Sequence, residues 1–138
     1  MELDWRPVLA AYDGYQLHPP VAAAELDHAG VLLGAVLPDD FRGLYLTTDG
    51  IFDTPGQWFV VWPLVEVVAG NQRDWAVSGA DRRALFGFGD DGTGASFCAP
   101  RDGGPGVFIW NPIDGQAYRL TDTVGQFWSG WSSGVITT

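Results

Sequence analysis

Two adjacent carboxylates, Asp90 and Asp91, lie inside the glycine-rich run Gly89-Asp-Asp-Gly92-Thr-Gly94. Oxygen ligands so placed are the type that a hard cation such as Ca²⁺ or Mg²⁺ takes. The run lacks the spacing of a twelve-residue calcium loop and the later acid that closes one. It also lacks the lysine and following helix of a phosphate loop. A structural turn remains, because Gly supplies positive φ and Asp bonds its own backbone. His18 and His28 stand far from any Cys or His cluster, so no metal and no cofactor is expected. Cys98 sits beside Phe97 in a short β-type run and reads as a buried, inert thiol, since no base or electropositive setting accompanies it. The serines occupy no Gly-x-Ser-x-Gly setting. No catalytic set emerges, and no enzymatic activity is expected.

The tryptophans suggest recognition instead. Seven Trp in 138 residues is a high count, some for the core and others available to a surface, and indoles are enriched at interfaces. Trp128 and Trp131 share a helical stripe and read as core; Trp110 ends a strand and reads as half-buried. Trp58 and Trp75 lie close in sequence to Asp49, Asp53 and Asp74, an aromatic set among acids of the kind that anchors a partner. The same residues would otherwise serve to cover the core.

Charge narrows the partner. Acids outnumber bases 17 to 7, all seven bases are Arg, and the formal charge is -10. Nucleic acid and anionic membrane are thereby disfavoured, because both need Lys and Arg facing phosphate. A protein with a basic surface is the electrostatic complement. The lone cysteine permits no internal disulfide, and no apolar stretch reaches 18 residues. With no leader-like segment at the start, a cytoplasmic location is expected.

The length fits one domain, residues 1–138. Residues 1–20 read as an N-terminal strap, either a short helix or an irregular segment. Ala22, Leu26, Ala29, Leu33 and Leu37 recur at helical spacing and predict a helix over 21–36. Pro38 starts a second helix with Asp39 and Asp40 in its first turn, closed by Asp49-Gly50. Residues 51–56 read as a turn-rich link, 58–62 as a strand and 64–70 as a short helix. Residues 71–83 are polar and read as a loop anchored by Trp75. Four β-type runs at 84–88, 95–99, 107–110 and 117–120, separated by Gly/Asp/Pro turns, predict a meander. Thr123-Val-Gly-Gln126 has capping-box form and opens a last helix whose stripe is Val124, Phe127, Trp128 and Trp131. Residues 132–138 read as a frayed tail. The fold class is α+β: two N-terminal helices, an antiparallel-rich sheet and a C-terminal helix packed on it.

The order of these motifs resembles the SUKH superfamily, the Smi/Knr-type domain, from about Val21 to Gly134. Leu37-Pro38-Asp39-Asp40-Phe41 is similar to the family's Leu-Pro-acid-acid-aromatic helix start. Asp49-Gly50 stands where the family commonly has Asn-Gly, and Val61-Trp62-Pro63-Leu64 with Asn71 resembles its strand, helix and Asn. Phe88 to Gly94 resembles its Gly-Asp-Asp-Gly-x-Gly hairpin, and Thr121 to Trp131 its final helix. Two positions depart: Asp49 replaces the usual Asn, and Gly30 stands where many members carry a Glu. The resemblance implies non-catalytic protein binding. Bacterial members are commonly immunity proteins that neutralise a toxin made by the same cell, and fungal members are scaffolds or regulators. The expectation is therefore a toxin-neutralising domain with a basic partner, the alternative being a regulatory domain for another cellular protein. A small enzyme with an acidic pocket is the third class, and it predicts a deep pocket lined by perturbed carboxylates.

Overall fold

The computed structural model describes residues 3–138, so positions 1 and 2 of the strap lie outside the described residues. The chain runs α1 (Trp5–Ala10), β1 (Tyr15–Leu17), α2 (Ala23–Leu33), α3 (Asp39–Tyr45), β2 (Ile51–Asp53), β3 (Trp58–Val61), α4 (Leu64–Ala76), α5 (Ala80–Arg83), β4 (Leu85–Asp90), β5 (Ser96–Pro100), β6 (Val107–Asn111), β7 (Gln116–Thr121) and α6 (Val124–Ser132). The seven strands form one antiparallel meander in the order β1 to β7. The class is α+β, with helices at the N-terminal side and a closing helix on the sheet.

Aromatic contacts fix which face the helices cover. Phe41 of α3 meets Phe86 at 5.3 Å and Phe88 at 5.8 Å, ring centre to ring centre. Phe127 of α6 meets Phe97 at 4.5 Å and Phe88 at 5.8 Å, and Trp128 meets Tyr15 at 4.8 Å. The core is this layer, where each buried ring contributes roughly 2–3 kcal/mol of transfer free energy. Thr123 caps α6 by accepting from the Gln126 amide at 3.1 Å, while the Gln126 side chain accepts from the Asp122 amide, one residue beyond the cap. Asp40 ties two helices together: its Oδ2 accepts from the Gly125 amide at 3.0 Å, so the first turn of α3 also serves the first turn of α6.

The sheet is joined at a narrow seam. β3 and β4 share the single register pair Val61 with Gly89, plus a bond from the Trp62 amide to the Phe88 carbonyl at 2.8 Å. A Cβ on Gly89 would stand 1.9 Å from the Val60 carbonyl oxygen, so only Gly lets the strands meet there. Beyond the seam β3 turns away into α4, and the edge of β4 is completed by side chains. Asn71 of α4 is buried and accepts from the Gly87 amide (2.7 Å) while donating to the Gly87 carbonyl (2.8 Å). The indole of Trp75 and the guanidinium of Arg82 both donate to the Leu85 carbonyl at 2.9 Å. Arg82, itself buried, also donates to Asn71 Oδ1 at 3.1 Å and pairs with Asp74 at 3.4 Å.

Several sequence expectations are corrected. Residues 71–83 are not a loop: α4 continues to Ala76, and α5 follows after a three-residue break. The misreading arises because Asn71, a polar residue, points inward to bond β4, while Arg73 and Glu66 pair on the outside. Residues 51–56 are not a link throughout; Ile51–Asp53 is a strand, too short to show a period, and Asp53 then bonds the Gly56 amide to turn the chain. The strap contains both a helix and strand β1. The helix predicted over 21–36 spans Ala23–Leu33 and stops at Gly34, whose φ is +58°. The second helix ends at Tyr45, before Asp49-Gly50. The tail 132–138 is docked rather than frayed: the Ile136 amide donates to the Gly130 carbonyl at 2.9 Å and the Thr138 hydroxyl to Asp91 at 2.8 Å.

Replacing Asn71 by Leu would leave the Gly87 amide and carbonyl and an Arg82 donor unpaired in a buried setting. Each orphaned group costs roughly 1–3 kcal/mol, so urea denaturation should show N71L destabilised by about 3 kcal/mol or more. Q72A, one residue on and exposed, should stay within about 0.5 kcal/mol of the parent.

Candidate functional site

Successive turns of a meander fall at alternate ends of its sheet. The turns β2–β3 (53–58), β4–β5 (90–96) and β6–β7 (111–116) therefore share one end. The segment before β1 (11–14) joins them, because the Gly14 carbonyl accepts from the Thr54 amide at 2.9 Å. These four segments hold Asp13, Asp53, Asp90, Asp91 and Asp114 and not one Arg. The arginines lie elsewhere: Arg82 and Arg83 precede β4, Arg101 follows β5, and Arg119 pairs with Asp122 near the end of β7. The turn end thus carries five carboxylates and no Arg, whereas the ion pairs among the described residues, Arg6–Asp4, Arg42–Asp27, Arg73–Glu66, Arg82–Asp74 and Arg119–Asp122, all lie elsewhere.

Trp58 stands at the centre of this rim. It is half-buried, pairs in register with Asp53, and donates its indole N–H to the Asp90 carbonyl at 3.1 Å, its ring lying over Gly92. Trp62 donates to Asp90 Oδ2 at 2.8 Å, and the Gly92 amide donates to Asp90 Oδ1 at 2.8 Å, so Asp90 is held on both oxygens. Asp91 Oδ1 accepts from the amide and hydroxyl of Thr93 at 2.9 and 2.7 Å. Burial works against the Asp91 charge, but the bonds from Thr93 and Thr138 outweigh it and hold the carboxyl below the usual range. Asp90 and Asp91 are bonded to separate donor sets, as a structural turn requires; Gly92 and Gly94 supply its positive φ, at +85° and +103°. Asp114 accepts from the Gln116 amide at 2.9 Å and from the Tyr118 hydroxyl. Under the rim, burial and then the Asp53 charge raise the Tyr15 hydroxyl above its ordinary value.

The structure divides the aromatic and acidic residues singled out from the sequence. Asp53 and Trp58 lie in the rim. Asp49 lies at the other end of β2, where its Oδ1 accepts from the Leu64 amide at 2.7 Å and caps α4, a service that Pro63 at the cap position cannot give. Gly50 beside it has φ +87°, and a Cβ there would stand 2.9 Å from Pro63 N, which fixes how closely β2 approaches that cap. Asp74 and Trp75 sit at the C-terminal end of α4 beside Leu85, at the far end of β4 from Asp90. Trp75 also carries the Arg101 guanidinium at 4.0 Å over its ring, and Arg101 in turn bonds the carbonyls of Leu33 and Arg83. Leu37 is half-buried, Pro38 is the cap residue of α3, and Asp39 is exposed in its first turn. Asp13 and Asp114 were not singled out from the sequence. The signal was present in the meander itself, since alternate turns must share an end.

Other chemistry finds little footing. A cleft of about 650 Å³ lies between α3 and α6 and includes Asp39, Asp40, Arg42 and Gln126, with Asp40 already bonded to Gly125. Among the described residues no group of three His, Cys, Asp or Glu is placed to hold a metal, and no helix is long and apolar enough to cross a membrane. Cys98 is fully buried, and burial pushes its thiol up to about 12, so the nucleophilic thiolate is suppressed. Trp110 is half-buried, His28 exposed and His18 half-buried; Trp131, expected in the core, is only half-buried at its margin.

Residues 20–130 match the family model described as SMI1 / KNR4 family (SUKH-1). No curated protein matches the chain.

Two outcomes follow from the site geometry. D49A should lose the cap on α4 and about 1 kcal/mol in urea denaturation, whereas D49N, which keeps an acceptor oxygen, should lose less than half of that. Cys98 should resist iodoacetamide at pH 8 in the native protein and react once it is unfolded. Its raised pKa also means that stability falls as pH rises past the unfolded thiol's 9.0, because only the unfolded form ionises there.

Proposed function

The chain belongs to the SMI1/KNR4 (SUKH-1) family, and from that premise we propose that it is a protein-binding domain that neutralises a basic toxin by covering its working surface with the acidic turn end of the sheet. The observation that carries this reading is the segregation of charge: five carboxylates and no Arg across four neighbouring segments. Such a patch attracts a cationic partner over a Debye length of about 8–10 Å and raises the association rate. Trp58 gives the patch an aromatic centre, the kind of residue that most often carries binding energy at an interface. Asp53 and Trp58 are thus assigned to the contact, with Asp13, Asp91 and Asp114 around them. Asp49, Asp74 and Trp75 support the elements that carry it.

The mechanism needs no turnover. Rim acids still have acceptor capacity after their turn bonds are made, since an ionised carboxylate offers about four lone-pair sites. Cationic side chains of the partner would take up that capacity, and Trp58 would be desolvated beneath them. Occlusion then blocks whatever the covered surface does, in a one-to-one complex.

The test is co-expression with a toxin-like polypeptide from a neighbouring open reading frame, where the genome encodes one. The parent should restore growth and bind the purified partner with an affinity that falls as salt rises. Asp→Asn at Asp13, Asp53 and Asp91 keeps the oxygens that Asp53 and Asp91 give to their turns but removes three charges. The triple variant should bind about tenfold or more weakly, mainly through slower association, with a shallower salt dependence. Equal binding by the triple variant would remove the rim from the interface, and growth arrest despite expression of the parent would remove the toxin-neutralising role.

A further inference from the structure

The two edges of the sheet are built differently. β1 has three residues and runs into His18-Pro19-Pro20, which cannot extend a ladder. β7 has six residues, no Pro, and unbroken register with β6 from Asn111–Gln116 to Phe108–Arg119. Among the described residues no other strand faces its outer side, because β7 is last in the sheet order. Residues 116–119 are all exposed, Tyr118 at 49%. Shortness, Pro and several charges, three of the usual protections of an edge, are missing from β7; its one charge is Arg119, paired with Asp122, and its bulge falls at Leu120, beyond residues 116–119.

Resting on the reading of a basic protein partner, we propose that the outer edge of β7 receives an extended cationic segment of that partner as an additional strand. Charge selects this occupant over a second copy of the chain. Asp114 stands just before β7 with no Arg partner and Asp122 just after it with one oxygen shared with Arg119, so the edge is bracketed by carboxylates that each keep acceptor capacity. Two copies pairing antiparallel about Tyr118 would set Asp114 of each against Asp122 of the other, two like-charge pairs on bodies of charge -10. An extended segment with Lys or Arg near both ends meets a carboxylate at each bracket instead. Backbone bonds along the roughly 20 Å edge give affinity, and the brackets give register. Asp114 belongs to the rim as well, so a partner seated on the acids has the start of β7 within reach.

The probe is the peptide acetyl-Lys-Thr-Val-Thr-Val-Lys-amide, added to the full chain while amide hydrogen exchange is followed residue by residue. The expected result is saturable slowing of alternate amides in 116–121 by tenfold or more. Replacing the central Val by Pro should abolish the slowing, and placing Glu at both ends should weaken it at least tenfold. Unchanged β7 amides, or equal protection by the Glu-ended peptide, would overturn the proposal. So would protection that appears without peptide as protein concentration rises, since that marks a second copy. The variant with Asn at 13, 53 and 91 retains both brackets and should respond to the peptide like the parent. Loss of partner binding in that variant with no peptide effect on β7 would remove the edge and leave the rim. A peptide effect on β7 with partner binding unchanged in that variant would remove the rim and leave the edge.

Discussion

A β-strand that loses its neighbour exposes amide and carbonyl groups that must be bonded or solvated, and in this chain that constraint falls on β4. β3 accompanies it only as far as Val61 and Trp62. Past that point Asn71, Trp75 and Arg82 take the place of a strand. Asn71 is used completely: its amide nitrogen donates to the Val67 and Gly87 carbonyls, and its oxygen accepts from the Gly87 amide and Arg82. No apolar residue can present a donor and an acceptor together to the carbonyl and amide of one strand residue. The position of α4 follows from this bonding, as does the burial of Arg82 with its charge balanced by Asp74. The pair is buried only on the Arg82 side, Asp74 being half exposed, so it adds little net stability, but removing the carboxylate leaves a costly buried charge. The arrangement therefore enforces one geometry more than it deepens the free-energy well.

The seam also determines the surface. With β3 and β4 held at Gly89, the turns after β2, β4 and β6 are aligned at one end. Turn chemistry favours Asp, because its side chain bonds an amide two or three residues on. Asp53, Asp90, Asp91 and Asp114 each make such a bond. Acids recruited for local turn reasons thus share one end with no Arg among them, while Arg82, Arg83 and Arg101 sit toward the other, where they donate to backbone carbonyls. Arg101 illustrates the second half: its guanidinium meets the Leu33 carbonyl in the last turn of α2 and the Arg83 carbonyl at the end of α5. Charge segregation is in this sense a by-product of topology that binding can exploit.

Much of this was legible in the residues. The meander was readable from its Gly/Asp/Pro turns, α6 from Thr123 and its stripe, and the start of α3 from Pro38 with Asp39 and Asp40. What escaped has identifiable causes. α4 was cut short because Asn71 reverses the usual rule that polar residues face water, and its role is set by a strand 16 residues later in the chain. β1 and β2 have three residues each, too few to show alternation. The tail escaped because Ile136 and Thr138 dock through single contacts with Gly130 and Asp91 that no local pattern announces. The candidate site was half legible: Asp53 and Trp58 stood out, but Asp49, Asp74 and Trp75 were grouped with them by proximity in sequence. In the fold, α4 carries Trp75 toward Leu85, whereas Trp58 bonds Asp90 at the other end of the same strand.

The acids of this chain can be sorted by how much of their bonding capacity the fold consumes. Asp90 is engaged on both oxygens and lends its carbonyl to Trp58, so it belongs to the hairpin. Asp40 joins α3 to α6, and Asp49 starts α4; both act across 15 or more residues and are fixed by tertiary structure. Asp53 gives one oxygen to a turn amide and retains its other oxygen, and Asp13 stays exposed in the segment that Gly14 ties to the β2–β3 turn. A carboxylate held by one short-range bond is oriented yet still able to accept from a cation, at little cost in ordering when a partner arrives. Capacity left over after folding, rather than acidity as such, is what would suit the turn end to the recognition proposed for it.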